Sequence, residues 1–159
     1  MEKRIINLWI LVSVFLFGTN SVVIGQTTPD FTGGTWYYVQ FKEGGGCLQD
    51  NGKDQPVTVR TKSVNDAQLW KVVGSQSNFQ LVNKSTGLYA VVSSKSSTSN
   101  GVSNPNPLRT SSSEQSGGFS IVSTTNTNYS PAWEIKVNTT GFAHQYLNQF
   151  GGTMDGIGL

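Results

Sequence analysis

The sequence predicts an all-β fold assembled from a repeated four-strand unit. Two observations carry the expectation. First, 18 glycines, dense serine and threonine, and sparse leucine and alanine favour short strands and many turns over helices. Second, the run Asp66-Ala67-Gln68-Leu69-Trp70-Lys71-Val72-Val73 has a partial echo in Ser130-Pro131-Ala132-Trp133-Glu134-Ile135-Lys136-Val137. Each holds an aromatic anchor and β-branched residues, and each is followed by a turn and a further apolar–polar alternation.

Residues 1–25 stand apart from the fold. Lys3 and Arg4 form a positive start, Ile5 to Phe17 is an apolar run, and Ser21 to Gly25 supplies small residues before a cleavage point placed after Gly25. This is a signal-peptide pattern. A membrane span needs about 20 apolar residues, and Gly18-Thr19-Asn20-Ser21 breaks the run too early. The protein is therefore expected to be secreted or at the cell surface (periplasmic or extracellular in a bacterium), with no membrane attachment after cleavage. The segment carries Glu2, Lys3 and Arg4, so its loss leaves nine basic and eight acidic side chains. Charged residues make up 13% of the chain, and no Lys/Arg cluster follows residue 4. That argues against nucleic-acid binding. Cys47 is the single cysteine, so an intrachain disulfide is excluded and stability must come from a packed core.

Gln26 to Thr35 reads as a polar, poorly ordered leader. Residues 36–159 form the domain. Trp36 to Phe41 is aromatic and β-branched, a strong strand signal. Glu43 to Gly46 turns the chain, and Cys47-Leu48-Gln49 pairs back. Asp50 to Asp54 is a second turn, with Asn-Gly chemistry. Val57-Thr58-Val59-Arg60-Thr61 alternates with Val57 and Val59 inward, and Gln68 to Val73 closes the unit. A second unit opens with Phe79 to Asn83 and Leu88 to Val92. Ser93 to Gly118 is too long for a structureless loop in a compact domain, so short strands are expected near Val102 and at Leu108-Arg109-Thr110. Phe119 to Ser123 alternates as a strand. Lys136-Val137-Asn138-Thr139-Thr140-Gly141 copies Leu81 to Gly87 with one turn residue fewer, and Tyr146 to Gln149 is the next strand. Units thus begin near Trp36, Phe79 and Trp133. The third lacks its closing Trp strand within this chain, and the phase predicts a further copy beyond Leu159. Such units cannot bury their apolar faces alone. A threefold, barrel-like arrangement that avoids open sheet edges is expected.

Gln68-Leu69-Trp70 matches the Gln-x-Trp signature of ricin-type β-trefoil lectin domains, and Pro131-Ala132-Trp133 resembles a degenerate second copy. The wording around Gly44 to Asp50 and Gln68 to Gly74 is similar to trefoil modules of secreted bacterial proteins, some attached to glycoside hydrolases or surface proteins. The resemblance covers residues 36–159. It implies a β-trefoil of three four-strand lobes, the third incomplete in this chain. It also implies a shallow sugar site in each lobe: an acid ending the second strand, an aromatic ring on the third, and an amide at Gln-x-Trp. Here the acidic position falls on Gln49 or Asp50, because a one-residue shift flips a strand side chain to the other face. The aromatic position falls near Arg60 or Thr61, so the ring is absent. The amide position falls on Ala67 and Gln68. Val91 and Val92 replace the acid in lobe two, and lobe three offers His144, Tyr146, Asn148 and Gln149.

The candidate sugar-binding set is therefore Gln49, Asp50, Arg60, Gln68, His144 and Asn148, with Trp70 and Trp133 as core anchors. Each has a plainer role: Asp50 can simply shape a turn, Gln68 can tie backbone together, and His144 can be a surface residue. Trp36, Tyr37 and Tyr38 are consecutive, so their rings alternate faces and at least one is expected to face outward. No carboxylate pair, nucleophile elbow or phosphate loop stands out, no enzymatic activity is expected, and neither metal nor cofactor is called for. Asn83-Lys84-Ser85, Asn128-Tyr129-Ser130 and Asn138-Thr139-Thr140 are formal glycosylation acceptors. The expected function is a secreted, non-catalytic carbohydrate-binding module for a polysaccharide or glycan. The alternative is a structural or docking trefoil domain of a larger secreted protein whose sugar sites have decayed. A covalently linked or associated catalytic domain would be a natural partner.

Overall fold

The computed structural model describes residues 28–41, 45–93, 97–99, 102–104, 107–124, 132–142, 146–149 and 157–158, with the backbone alone at 97–99, 102–104, 148–149 and 157–158. The expected signal segment, His144 and the side chain of Asn148 lie outside the described residues.

All regular structure here is strand except one 3-10 turn, Asp66–Gln68. Lobe one comprises β1 (Tyr37–Tyr38), β2 (Cys47–Gln49), β3 (Thr58–Arg60) and β4 (Leu69–Ser75). Lobe two comprises β5 (Asn78–Asn83), β6 (Tyr89–Val92), β9 (Leu108–Ser111) and β10 (Phe119–Ser123), with the hairpin β7 (Ser97–Ser99) and β8 (Val102–Asn104) inserted after β6. Lobe three contributes β11 (Trp133–Val137), β12 (Asn148–Gln149) and β13 (Ile157–Gly158). The opening and closing strands form one antiparallel path, β1-β4-β5-β10-β11. The middle strands of each lobe pair with each other: β2 with β3, β6 with β9, and β12 with β13. The strands expected near Val102 and at Leu108 are β8 and β9.

Alternation decides which residues enter the core. Val57 and Val59, Leu108 and Thr110, Phe119 and Ile121, and Trp133, Ile135 and Val137 are all buried, and the residues between them lie on the other face. Their core also takes Tyr37, Leu48, Trp70, Val72, Phe79 and Leu81. The Phe79 and Phe119 rings stack at a tilt, 5.9 Å apart, which joins the opening strand of lobe two to its closing strand. A smaller cluster of Tyr38, Cys47 and Leu69, with Trp36 against it, lies on the outer side of lobe one.

The structure corrects three expectations. The leader is part of the fold from Thr28 onward. Its Thr32 bridges to Val73, the Gly74 N–H donates to the Phe31 carbonyl, and the Phe31 ring packs 5.7 Å from Phe79. Apolar contact at Phe31 outweighs the polar composition around it. Both tyrosines are buried, Tyr37 in the main core and Tyr38 in the outer cluster, and Trp36 alone of the three rings is half-buried.

The third correction concerns the repeat. Closing strands pair with the next lobe's opening strand, as β4 does with β5 and β10 with β11. Lys84 donates to the Leu69 carbonyl, and Asn138 donates to the Gly118 carbonyl. Trp70 and Phe119 each follow the carbonyl held in this way, so the counterpart of Trp70 is Phe119. Trp133 sits on β11, an opening strand, opposite Ser123. It is buried, yet its Nε1–H has no partner among the described residues, whereas Trp70 Nε1–H donates to the Leu48 carbonyl at 3.0 Å.

Candidate functional site

The β2–β3 hairpin carries most of the candidate residues. Its register sets Cys47 opposite Arg60, Leu48 opposite Val59, and Gln49 opposite Thr58. Leu48 and Val59 point into the core. Cys47, Gln49, Thr58 and Arg60 therefore share the outer face.

Gln68 is placed by the 3-10 turn before β4. Asn65 caps that turn by accepting the Ala67 N–H on its Oδ1 at 2.9 Å, and the turn swings Gln68 beneath the outer face. There Gln68 Oε1 accepts the Ser63 N–H at 2.9 Å. Its Nε2 donates to Thr61 O at 3.0 Å and to Gln49 Oε1 at 3.1 Å. Both amide hydrogens are used and the residue is 1% exposed, so Gln68 positions Gln49 and does not itself face a ligand. Gln49 is half-buried and donates to Asn51 Oδ1 at 3.3 Å. One of its N–H groups and one lone pair stay uncommitted among the described residues. Asn51 in turn donates to Pro56 O and Thr58 Oγ1, at 2.8 and 3.0 Å. The result is a rigid polar rim of Gln49, Asn51 and Thr58 with the exposed Arg60 beside it.

Asp50 points the other way, as period-two geometry requires. It is 4% exposed. Its Oδ1 accepts the Gly52 N–H at 2.8 Å and faces the Thr110 hydroxyl at 2.9 Å. Its Oδ2 accepts the Thr86 hydroxyl at 2.6 Å. Thr86 and Thr110 belong to lobe two, so Asp50 is an inter-lobe tie and not part of the outer face. Of the two candidates for the acidic position, Gln49 is the one the fold presents outward.

Among the described residues, the outer face also carries aromatic and cationic side chains. Lys62 Nζ lies 4.6 Å from the Tyr38 ring centroid, and Lys71 Nζ lies 5.5 Å from that of Trp36. Both fall within cation–π range. Burial pushes the Cys47 thiol up to about 11, against a smaller downward pull from Lys62, which places the Lys62 charge close to this face.

Lobe two repeats the scaffold without the rim. Val91 stands opposite Arg109, and Tyr89 opposite Ser111. The residue that does the work of Gln68 is Gln115, whose Oε1 accepts the Val92 N–H at 2.7 Å and whose Nε2 donates to Thr139 Oγ1 at 3.3 Å. Gln115 was missed because Ser116, Gly117 and Gly118 separate it from Phe119 and because Phe, not Trp, fills the anchor position. Reading the closing strand from its aromatic residue would have found it. Asn83 is buried and donates to the Ala67 and Leu69 carbonyls, so the folded chain does not offer it for glycosylation. Groups of three or more His, Cys, Asp or Glu able to hold a metal are absent among the described residues.

No family's sequence profile matches the chain, and no curated protein matches it. Among solved structures it is similar to a ricin B-like lectin of Macrolepiota procera, determined in complex with lactose. The TM-score is 0.53 at 16% identity, over 72% of this chain and 76% of that one. At that identity the likeness speaks for the fold alone: an all-β, β-trefoil architecture, as expected from the phased strands.

Proposed function

We propose that the chain is an exported, non-catalytic, lectin-like module that binds carbohydrate on the outer face of lobe one. The observation that carries this reading is the Gln68–Gln49 hydrogen bond. It holds an amide with one spare donor and one spare acceptor beside Thr58 and Arg60, on a fold shared with a lectin solved with lactose. A sugar hydroxyl both donates and accepts, and Gln49 meets both needs at one position. Among the described residues the rim of Gln49, Asn51 and Thr58 has no apolar ring to cover a sugar's C–H face, so affinity per site is low. Multivalency or a linked catalytic domain would raise it through effective concentration.

Glycan-array screening followed by calorimetric titration of the full chain tests the reading. Binding that Gln49→Ala abolishes, with an unchanged melting temperature, supports it. A well-folded chain that binds no glycan refutes it. A second reading, a docking module within a larger secreted protein, is favoured by Val91 at the place of Gln49 in lobe two. It predicts partner capture that Trp36→Ala weakens and Gln49→Ala leaves intact.

A further inference from the structure

We infer that Asn51 is a site of spontaneous covalent modification, ring closure onto Gly52 with loss of ammonia, and that the joint between lobes one and two sets its rate. This holds whether or not the chain binds carbohydrate.

The pair Asn51-Gly52 has the chemistry for the step. The Gly52 nitrogen attacks the Asn51 side-chain carbonyl carbon. Its proton and the side-chain NH2 leave together as ammonia, and a cyclic imide remains. Water then opens the ring at either carbonyl, giving aspartate or an isoaspartate whose main chain runs through the side-chain carbon. Water is the only co-reactant, and nothing is oxidised or reduced. Glycine has no Cβ to hinder its nitrogen, and Asn51 is exposed to that water.

The folded loop points the two reacting groups apart. Gly52 N–H is turned back onto Asp50 Oδ1 at 2.8 Å. The Asn51 amide reaches forward, donating to Pro56 O at 2.8 Å and to Thr58 Oγ1 at 3.0 Å. Attack needs both locks open at once. The Gly52 nitrogen must also give up its proton, and a carboxylate beside it opposes the negative charge that develops.

Lobe two fastens this arrangement. Asp50 is held by the Thr86 and Thr110 hydroxyls, at 2.6 and 2.9 Å. The loop itself is stitched to β9: Asp54 N–H donates to Thr110 O at 2.8 Å and Val57 N–H to Leu108 O at 2.9 Å, and Pro56 bridges to Arg109. Opening the joint frees Asp50 and Pro56, and with them the reacting pair. The products also disturb the loop. Aspartate sets a carboxylate oxygen where the amide donated to the Pro56 carbonyl, and isoaspartate adds a main-chain atom to the turn that Asp50 closes on Gly52.

The test is timed incubation of the full chain in mildly alkaline buffer. Peptide mapping by mass spectrometry reads Asn51 separately from the chain's other Asn-Gly pair, Asn100-Gly101. In concentrated urea Asn51 should react as fast as in a short peptide of the same sequence. In the native chain it should be about 10-fold to 100-fold slower, because hydrogen bonds to both groups must open together. Thr86→Ala, at an exposed residue, removes one bond to Asp50 and should raise the native rate about 3-fold to 10-fold. Ile121→Val trims the core on β10 and should leave the rate at the parent's value, although it lowers overall stability. Asn51→Asp, which reproduces one product, should melt below the parent, and melting curves confirm that each variant folds. No reaction at Asn51 in urea would overturn the site, and equal rates in urea and in the native chain would overturn the locks. A Thr86→Ala rate equal to the parent's would overturn control by the joint, as would an Ile121→Val rate raised as far as that of Thr86→Ala. A parent-like melting curve for Asn51→Asp would overturn the cost assigned to the product.

Discussion

Replacing Asp50 by alanine should destabilise the domain by about 3 kcal/mol while leaving ligand affinity unchanged. The magnitude follows from the three groups on its carboxylate. Gly52 N–H, at 2.8 Å, loses its acceptor outright. Thr86 loses a 2.6 Å charge-assisted bond, although it is exposed and can turn to water. Thr110 is the cheapest of the three, because its Oγ1 also lies 2.6 Å from the Gly52 carbonyl oxygen, to which the hydroxyl can donate instead. Two lost bonds to a charged acceptor, at about 1.5–3 kcal/mol each, are partly offset by no longer burying a carboxylate. Asp50→Asn should cost less, about 1–2 kcal/mol, since the neutral amide still accepts from Gly52. Urea unfolding followed by the fluorescence of the buried Trp70 and Trp133 reads this directly. With a slope of about 1–3 kcal/mol/M, the alanine midpoint should fall by at least about 1 M with the slope unchanged. A shift under about 0.3 M, or a normal midpoint with lost glycan binding, would refute the assignment of Asp50 to the lobe–lobe tie.

Trp70→Phe should destabilise by about 1–2 kcal/mol more than Trp133→Phe, because only the former orphans a buried carbonyl, that of Leu48; equal midpoints in urea would contradict the contrast. Gly74→Ala should destabilise strongly, since φ is +134° and an added Cβ would collide with the Asn78 carbonyl oxygen; a parent-like melting curve would show that the hairpin tolerates it. Cys47, buried and pushed up to about 11, should resist thiol reagents in the native state near neutral pH and react once unfolded, and rapid native labelling would contradict its burial. The carboxyl of Asp30 is held below its ordinary 3.8, first by the Thr32 hydroxyl and then by the Thr32 N–H. The stability this contributes is fully present above 3.8 and is lost as pH falls from there through the lower folded value. Asp30→Asn should therefore melt below the parent at neutral pH and converge with it in acid, and parallel curves throughout would argue against the clasp.

Much of the architecture was legible beforehand because period-two alternation reports directly on burial. Val57 and Val59, and Phe119 and Ile121, could be placed that way, whereas the strands near Val102 and at Leu108 followed from the length of the stretch between Ser93 and Gly118. The candidate site was legible only as a set of alternatives. Gln49 and Asp50 are neighbours of similar chemistry, and adjacent strand residues face opposite sides. Only the pairing of Cys47 with Arg60 fixes which of them is outside. The repeat was misphased for a related reason: a conspicuous Trp at residue 133 outweighed Phe119, though strand pairing makes Phe119 the counterpart of Trp70.

Gln68-Leu69-Trp70 shows the division most clearly. Local sequence was enough to announce an all-β chain, a closing strand and a buried Trp, because composition and alternation act over a few residues. What Gln68 does was settled by contacts distant in sequence, with Gln49 19 residues away and Trp70 bonded to Leu48 22 residues away. Hydrogen bonds of that range exist only once the lobe has closed. Tertiary structure therefore assigned Asp50 to the joint between lobes and Gln49 to the outer face.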